Sequence, residues 1–154
     1  METVNHSISL SVSKQVAWDA LADFGNPHRY FKGIVDAHLM TDVMSGVGMI
    51  RHCDLPKMMG MRQYIDEKIT DWKEGEEFTY IVTETAAPIK NGIATWRVTG
   101  DENRSIVSVD IKYEPKGVMG YMMKRMLSKE FNKQISAGLR DMRAVLENVE
   151  NIAA

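Results

Sequence analysis

Residues 118–150 read VMGYMMKRMLSKEFNKQISAGLRDMRAVLENVE, the longest helical pattern in the chain. Leu127, Phe131, Ile135, Leu139, Met142, Leu146 and Val149 recur in steps of three and four, so they form one apolar stripe on an otherwise polar helix. At 1.5 Å per residue the helix is about 50 Å long. Such a stripe must lie along an apolar surface of similar length, and the preceding residues have to supply it.

They supply it as β-structure. Across 4–12, Val4, His6, Ile8, Leu10 and Val12 share one face, and Asn5, Ser7, Ser9 and Ser11 share the other. Ser13 then stands where a helix N-cap belongs, followed at helical spacing by Ala17, Trp18, Leu21 and Phe24. Gly25-Asn26-Pro27 ends that helix, and Pro27 starts a second short one carrying His28, Arg29, Tyr30 and Phe31. Six further strands are predicted at about 35–43, 48–55, 61–72, 78–85, 92–99 and 105–113. Phe78, Tyr80 and Val82 alternate with Thr79 and Thr83, and Val107, Val109, Ile111 and Tyr113 with Ser108, Asp110 and Lys112. One apolar and one polar face per strand marks an antiparallel sheet covered on one side.

The links differ in character. Ser45-Gly46, Glu74-Gly75 and Gly100–103 are short, polar and glycine-bearing, as hairpin turns are. Residues 55–60, 86–91 and 114–117 each carry a proline, and the first two are apolar. In a meander, successive turns fall at opposite ends, so the polar turns gather at one end and the proline-bearing links at the other, where a mouth is expected. The architecture predicted is α+β: a curved seven-stranded antiparallel sheet wrapped around a long C-terminal helix, with two short helices between strands 1 and 2. No repeat or linker divides the chain, so residues 1–154 are read as one domain.

Composition narrows the function classes. A net charge of -2 lacks the basic excess of a nucleic-acid binder, and the cluster Lys124, Arg125, Lys129 reads as a solvated helix face. Cys53 is the single cysteine, which excludes an internal disulfide and fits a reducing compartment. The opening METVNH has no secretory pattern, and the longest near-apolar run, 117–123, is far short of a membrane span of about 20 residues. A soluble, cytoplasmic protein with no integral membrane segment is expected.

Several local motifs then carry a resemblance. They are Ser13 with Ala17-Trp18 and Leu21-Ala22-Asp23, Gly46-Val47-Gly48 with Arg51, and Glu67-Lys68-Ile69-Thr70-Asp71-Trp72. Ala94-Thr95-Trp96-Arg97-Val98 and Gly138-Leu139-Arg140 to Leu146-Glu147 complete the set. In this order and spacing the chain resembles the START-like (SRPBCC, helix-grip) superfamily, and within it the polyketide cyclase/dehydrase branch. That resemblance implies a cavity between sheet and helix, in a family whose members bind lipids, sterols, quinones or polyketides and include both enzymes and binders.

The residues suggest how such a cavity is lined. Seven of the 12 methionines (Met58, Met59, Met61, Met119, Met122, Met123 and Met126) cluster at the proposed mouth, and methionine adapts to irregular ligands. Strand parity turns Glu67 inward with Ile65 and Ile69. A hairpin at 73–76 sets Ile69 opposite Tyr80 and Glu67 opposite Val82, and the buried carboxylate needs a partner, either Arg51 or a ligand hydroxyl. A turn at 100–103 sets Trp96 opposite Val109 and Val98 opposite Val107. The expected ligand-binding set is Arg51, Glu67, Tyr80, Trp96, Val98, Val109, Tyr113, Met119, Met122, Met126 and Phe131. Plain core packing for the aromatics, a structural ion pair for Glu67 and a partner-binding patch for the methionines stand beside it. Around Arg51 the parity is open, because Met49-Arg51-Cys53 and Ile50-His52-Asp54 both mix apolar with polar.

No HxxxH, HExxH, phosphate loop or GxSxG elbow is present, so neither metal nor cofactor is expected. Three functions follow. The first is a module binding a small hydrophobic molecule. The second is a cyclase/dehydrase-type enzyme with Glu67, His52 or Tyr113 as acid or base. The third is an interaction module, including a homodimer, docking through the methionine-rich rim.

Overall fold

The computed structural model describes residues 1–43 and 46–153, with side chains as far as Asn148. Ser45 of the expected 45–46 turn and the Val149 side chain of the helical stripe lie outside the described residues. The order is β1 (Glu2–Leu10), α1 (Lys14–Ala22), a single 3-10 turn (Pro27–Arg29), then β2 (Asp36–Leu39), β3 (Ile50–Met58) and β4 (Met61–Lys73). β5 (Glu77–Thr85), β6 (Ile89–Gly100), β7 (Ser105–Pro115), α2 (Gly117–Met122) and α3 (Lys124–Ala153) follow. All seven strands form one antiparallel sheet in the order β1-β7-β6-β5-β4-β3-β2.

Turn chemistry sets the register. Ile69 faces Tyr80 and Glu67 faces Val82, while Trp96 faces Val109 and Val98 faces Val107, as the hairpin positions require. Ser13 caps α1 by accepting from the Val16 N–H at 3.1 Å, leaving Ala17, Trp18, Ala20 and Leu21 to be buried. Trp18 packs edge-on against Trp72 and Phe78, so α1 seals the polar-turn end of the core.

Two expectations fail. The 55–60 link is not a loop, because β3 runs on to Met58 and turns through Met59 (φ 52°) and Gly60 (φ 77°) into Met61. β2 stops at Asp36 opposite Asp54, so Pro56 sits where β3 is an edge and owes no N–H to a neighbour. The closing helix is also broken. At Met123 the backbone (φ -91°, ψ 4°) leaves helical geometry, and it divides α2 from α3. A Cβ on Gly120 would stand 2.3 Å from the Pro88 carbonyl oxygen, so only glycine lets α2 sit on the β5–β6 turn, while α3 must follow the sheet.

Polar ties fasten α3 along β1. Lys124 bridges Glu2 at 2.9 Å, the His6 ring pairs with the Asn132 side-chain oxygen at 2.9 Å, and the Ser11 N–H donates to Glu147 at 2.9 Å. Nine strand steps at about 3.3 Å match 23 helix steps at about 1.5 Å to within a few ångströms, so helix and strand run side by side. Among the described residues no hydrogen bond or ion pair joins α3 to β2, β3, β4 or β5. On that side Asp141 accepts from the Lys32 N–H at 3.2 Å, and Phe31 rests on Gly138.

Candidate functional site

On the concave face β3 presents Arg51 and Cys53, and β4 presents Glu67 and Ile69. Arg51 and Glu67, 8% and 5% exposed, pair across the strands with Nε to carboxylate oxygen at 2.5 Å. Arg51 Nη1 also donates to the Phe24 carbonyl at 3.2 Å. The guanidinium lies 4.0 Å from the Phe24 ring centre and 5.3 Å from that of Tyr80. Burial opposes its charge, but the Glu67 carboxylate, joined by smaller contributions from Cys53 and Tyr80, outweighs it and holds the guanidinium protonated above its ordinary range. Burial pushes the Cys53 thiol up to about 12, which leaves it a poor nucleophile, and also raises the Tyr80 phenol. Phe24, absent from the expected site, is the platform for this pair. Its helical spacing marked it as core, but no local signal places its ring and carbonyl against β3.

The expected lining residues separate into two groups. Tyr80, Trp96, Val98, Val109 and Tyr113 are buried on the concave face, with Trp96 Nε1 3.5 Å from the Tyr80 hydroxyl. Phe131 is half-buried on α3, its ring edge-on to Tyr113 at 5.1 Å. Met119, Met122 and Met126 do not line the interior: they are 64%, 78% and 49% exposed.

Among the described residues the concave face is closely packed around Arg51. A void of about 10 Å³ lies beside Arg51, bounded by Leu21, Pro27, Phe31, Phe78 and Trp96, with room for at most about one water molecule. Near the far end of the sheet the Tyr113 hydroxyl is buried, and among the described residues none meets it in hydrogen-bonding geometry, Ser128 lying nearby but misplaced for a bond. Burial holds this phenol above its usual range, and nearby Ser128 opposes that only partly.

His52 stands on the opposite, convex face, since it neighbours inward-facing Arg51 and Cys53. This corrects its assignment as a cavity acid or base. Its Nδ1 pairs with Asp66 at 2.5 Å and its Nε2 with Asp54 at 3.0 Å; the ring stacks on Tyr64 at 5.8 Å and lies 5.3 Å from that of His38. Among the described residues no group of three or more His, Cys, Asp or Glu is arranged to hold a metal ion.

Burial lowers the His52 pKa, but hydrogen bonds donated by the ring to the Asp54 and Asp66 carboxylates, with their negative charge, outweigh it, and the net shift is upward from 6.5. A raised folded-state pKa adds stability that is complete below the unfolded value and lost as pH rises through the folded one. The melting temperature is therefore expected to fall as pH rises from about 6.5 into the alkaline range, and His52→Gln should flatten that slope. Calorimetric scans over a pH series check it, and identical slopes in both proteins would refute it.

A family model described as polyketide cyclase / dehydrase and lipid transport matches residues 1–147. No curated protein matches the chain. Among solved structures, XoxI from Bacillus cereus is 20% identical with a TM-score of 0.78, covering 97% of this chain and 99% of its own. The Zhui aromatase/cyclase from Streptomyces sp. R1128 is 16% identical with a TM-score of 0.77, covering 95% and 93%. A START superfamily protein from Mycobacterium smegmatis is 11% identical with a TM-score of 0.75, covering 96% and 98%. At these identities the structures speak for the fold, while the family match spans nearly every residue of the site. The chain belongs to the polyketide cyclase/dehydrase and lipid transport family, with a START-like fold.

Proposed function

We propose that this protein binds a small hydrophobic molecule between the sheet and α3, with the Arg51–Glu67 pair as its polar anchor. The observation that carries this is a hydrogen-bonded ion pair buried on the concave face beside a void. Desolvating two charges gains a fold little over apolar side chains of the same size, so the pair is better explained by something it holds. Helix α3 supports the same reading. Its polar ties run to β1, while toward β3–β5 it rests mainly on apolar packing that an entering guest can replace. The printed family description joins lipid transport to polyketide chemistry, and both concern small, largely apolar molecules. Acid–base catalysis has less support, because His52 faces away and the Cys53 thiol is held protonated. A cytoplasmic protein without a nucleic-acid partner goes with this reading.

The test is a thermal-shift and native mass spectrometry screen against lipids and aromatic polyketides. A guest binding only the folded state raises the melting temperature with its concentration, and Trp96 fluorescence should change on binding. A screen in which nothing shifts either signal would end the proposal.

Tyr113 sharpens the test. A buried hydroxyl without a partner costs about 1–3 kcal/mol, so Tyr113→Phe should stabilise the empty protein by about 1 kcal/mol. If that hydroxyl meets a polar group of the guest, the same change should weaken binding about tenfold. Urea unfolding and titration of the identified ligand measure the two effects separately, and a variant less stable than the parent would show a partner for the hydroxyl.

A further inference from the structure

We propose that the end of the molecule formed by α2, the β3–β4 turn and the β5–β6 turn docks on an anionic membrane surface. Gly120 pins α2 to the Pro88 carbonyl, which leaves Val118, Met119, Tyr121 and Met122 standing outward, all more than 60% exposed. Met59 and Met61 of the β3–β4 turn are equally exposed at the same end of the meander. A cluster of large apolar side chains is unusual on a monomer surface and marks a contact site.

Charge identifies the partner. Residues 57–62, 86–90 and 114–130 contain seven cations (Lys57, Arg62, Lys90, Lys116, Lys124, Arg125 and Lys129) and two carboxylates, Glu114 and Glu130, in a chain whose net charge is -2. Arg62 pairs with Asp54 and Lys124 with Glu2; among the described residues no ion pair engages Lys57, Lys90, Lys116, Arg125 or Lys129. The opposite end, at 71–77 and 100–105, has six carboxylates against Lys73 and Arg104. This polarity turns the basic end toward a negative surface and the acidic end away from it. A second copy is a poor occupant, since it would bring seven cations against seven. An anionic bilayer satisfies both features: headgroups take the lysines, and the acyl boundary takes methionine, valine and tyrosine side chains. The surface carries this inference by itself, whatever the interior accepts.

Co-sedimentation with phosphatidylcholine vesicles, with and without about a third phosphatidylserine, tests it. Binding is expected to the anionic vesicles alone and to be released by raising the salt toward 1 M. Lys116→Ala with Arg125→Ala should weaken it about 25-fold, roughly fivefold for each charge. Met119→Ser with Met122→Ser should weaken it tenfold or more without lowering the melting temperature, because both side chains are exposed. Equal binding to neutral and anionic vesicles, no binding to either, or affinity unchanged in both double variants would overturn the proposal. So would a dimer in solution that the methionine changes dissociate, which would make the patch a contact between copies.

Discussion

Arg51→Met is expected to lower stability by about 3–5 kcal/mol, and adding Glu67→Leu should restore most of that loss. The single change leaves the Glu67 carboxylate buried and without its cation, and among the described residues no other basic side chain pairs with it. The double change removes both charges and puts apolar side chains of similar length between Phe24 and Tyr80. What it does not restore is the donor to the Phe24 carbonyl, about 1–3 kcal/mol. Urea unfolding of the four proteins gives the coupling energy. A double variant as unstable as Arg51→Met would show that the guanidinium's stacking on the two rings outweighs its charge. The same proteins separate structure from function: if the pair anchors a guest, the double variant should be folded yet bind the polar end of that guest poorly.

Trp96→Ala should cost a similar amount, about 3–5 kcal/mol, through the space it leaves. The indole packs against the Phe31 ring at 5.7 Å and walls the existing void, so its loss opens that void into a larger apolar one. Apolar cavities of this kind stay dry and accept small hydrocarbons. Benzene or indole should therefore raise the melting temperature of Trp96→Ala more than that of the parent. If neither compound distinguishes them, Phe31 and α3 have collapsed into the gap, and the measured loss of stability should then be well below the expected range.

Much of the fold was legible because short-range chemistry determines it. Glycine-bearing turns at 73–76 and 100–103 set the registers of β4–β5 and β6–β7, and parity then placed Glu67 and Trp96 on the concave face. Parity could not orient β3, and the reason is physical: its two faces carry two separate polar clusters, Arg51–Glu67 inside and His52–Asp54–Asp66 outside. Alternation reports orientation only where one face is apolar. The break at Met123 is equally hidden, as is the close approach of Gly120 to Pro88, 32 positions away in the chain. Helical spacing and position at the mouth point Met119 and Met122 inward, although both are exposed. Phe24 and Phe31 were read as helix-face residues, and nothing local indicated that one supports Arg51 and the other meets Trp96 and Gly138.

The fastening of α3 to β1 bears on how this chain comes to be folded. β1 pairs with β7, and α3 follows β7 in the chain, so β1 finds its strand neighbour and its covering helix only after residues 11–104 have been made. Contacts that span so much of the polypeptide slow the search for the native state. Until that closure the apolar side of β1 and the free edge of β7 stay open to other chains, which makes the stage before it the one most exposed to aggregation.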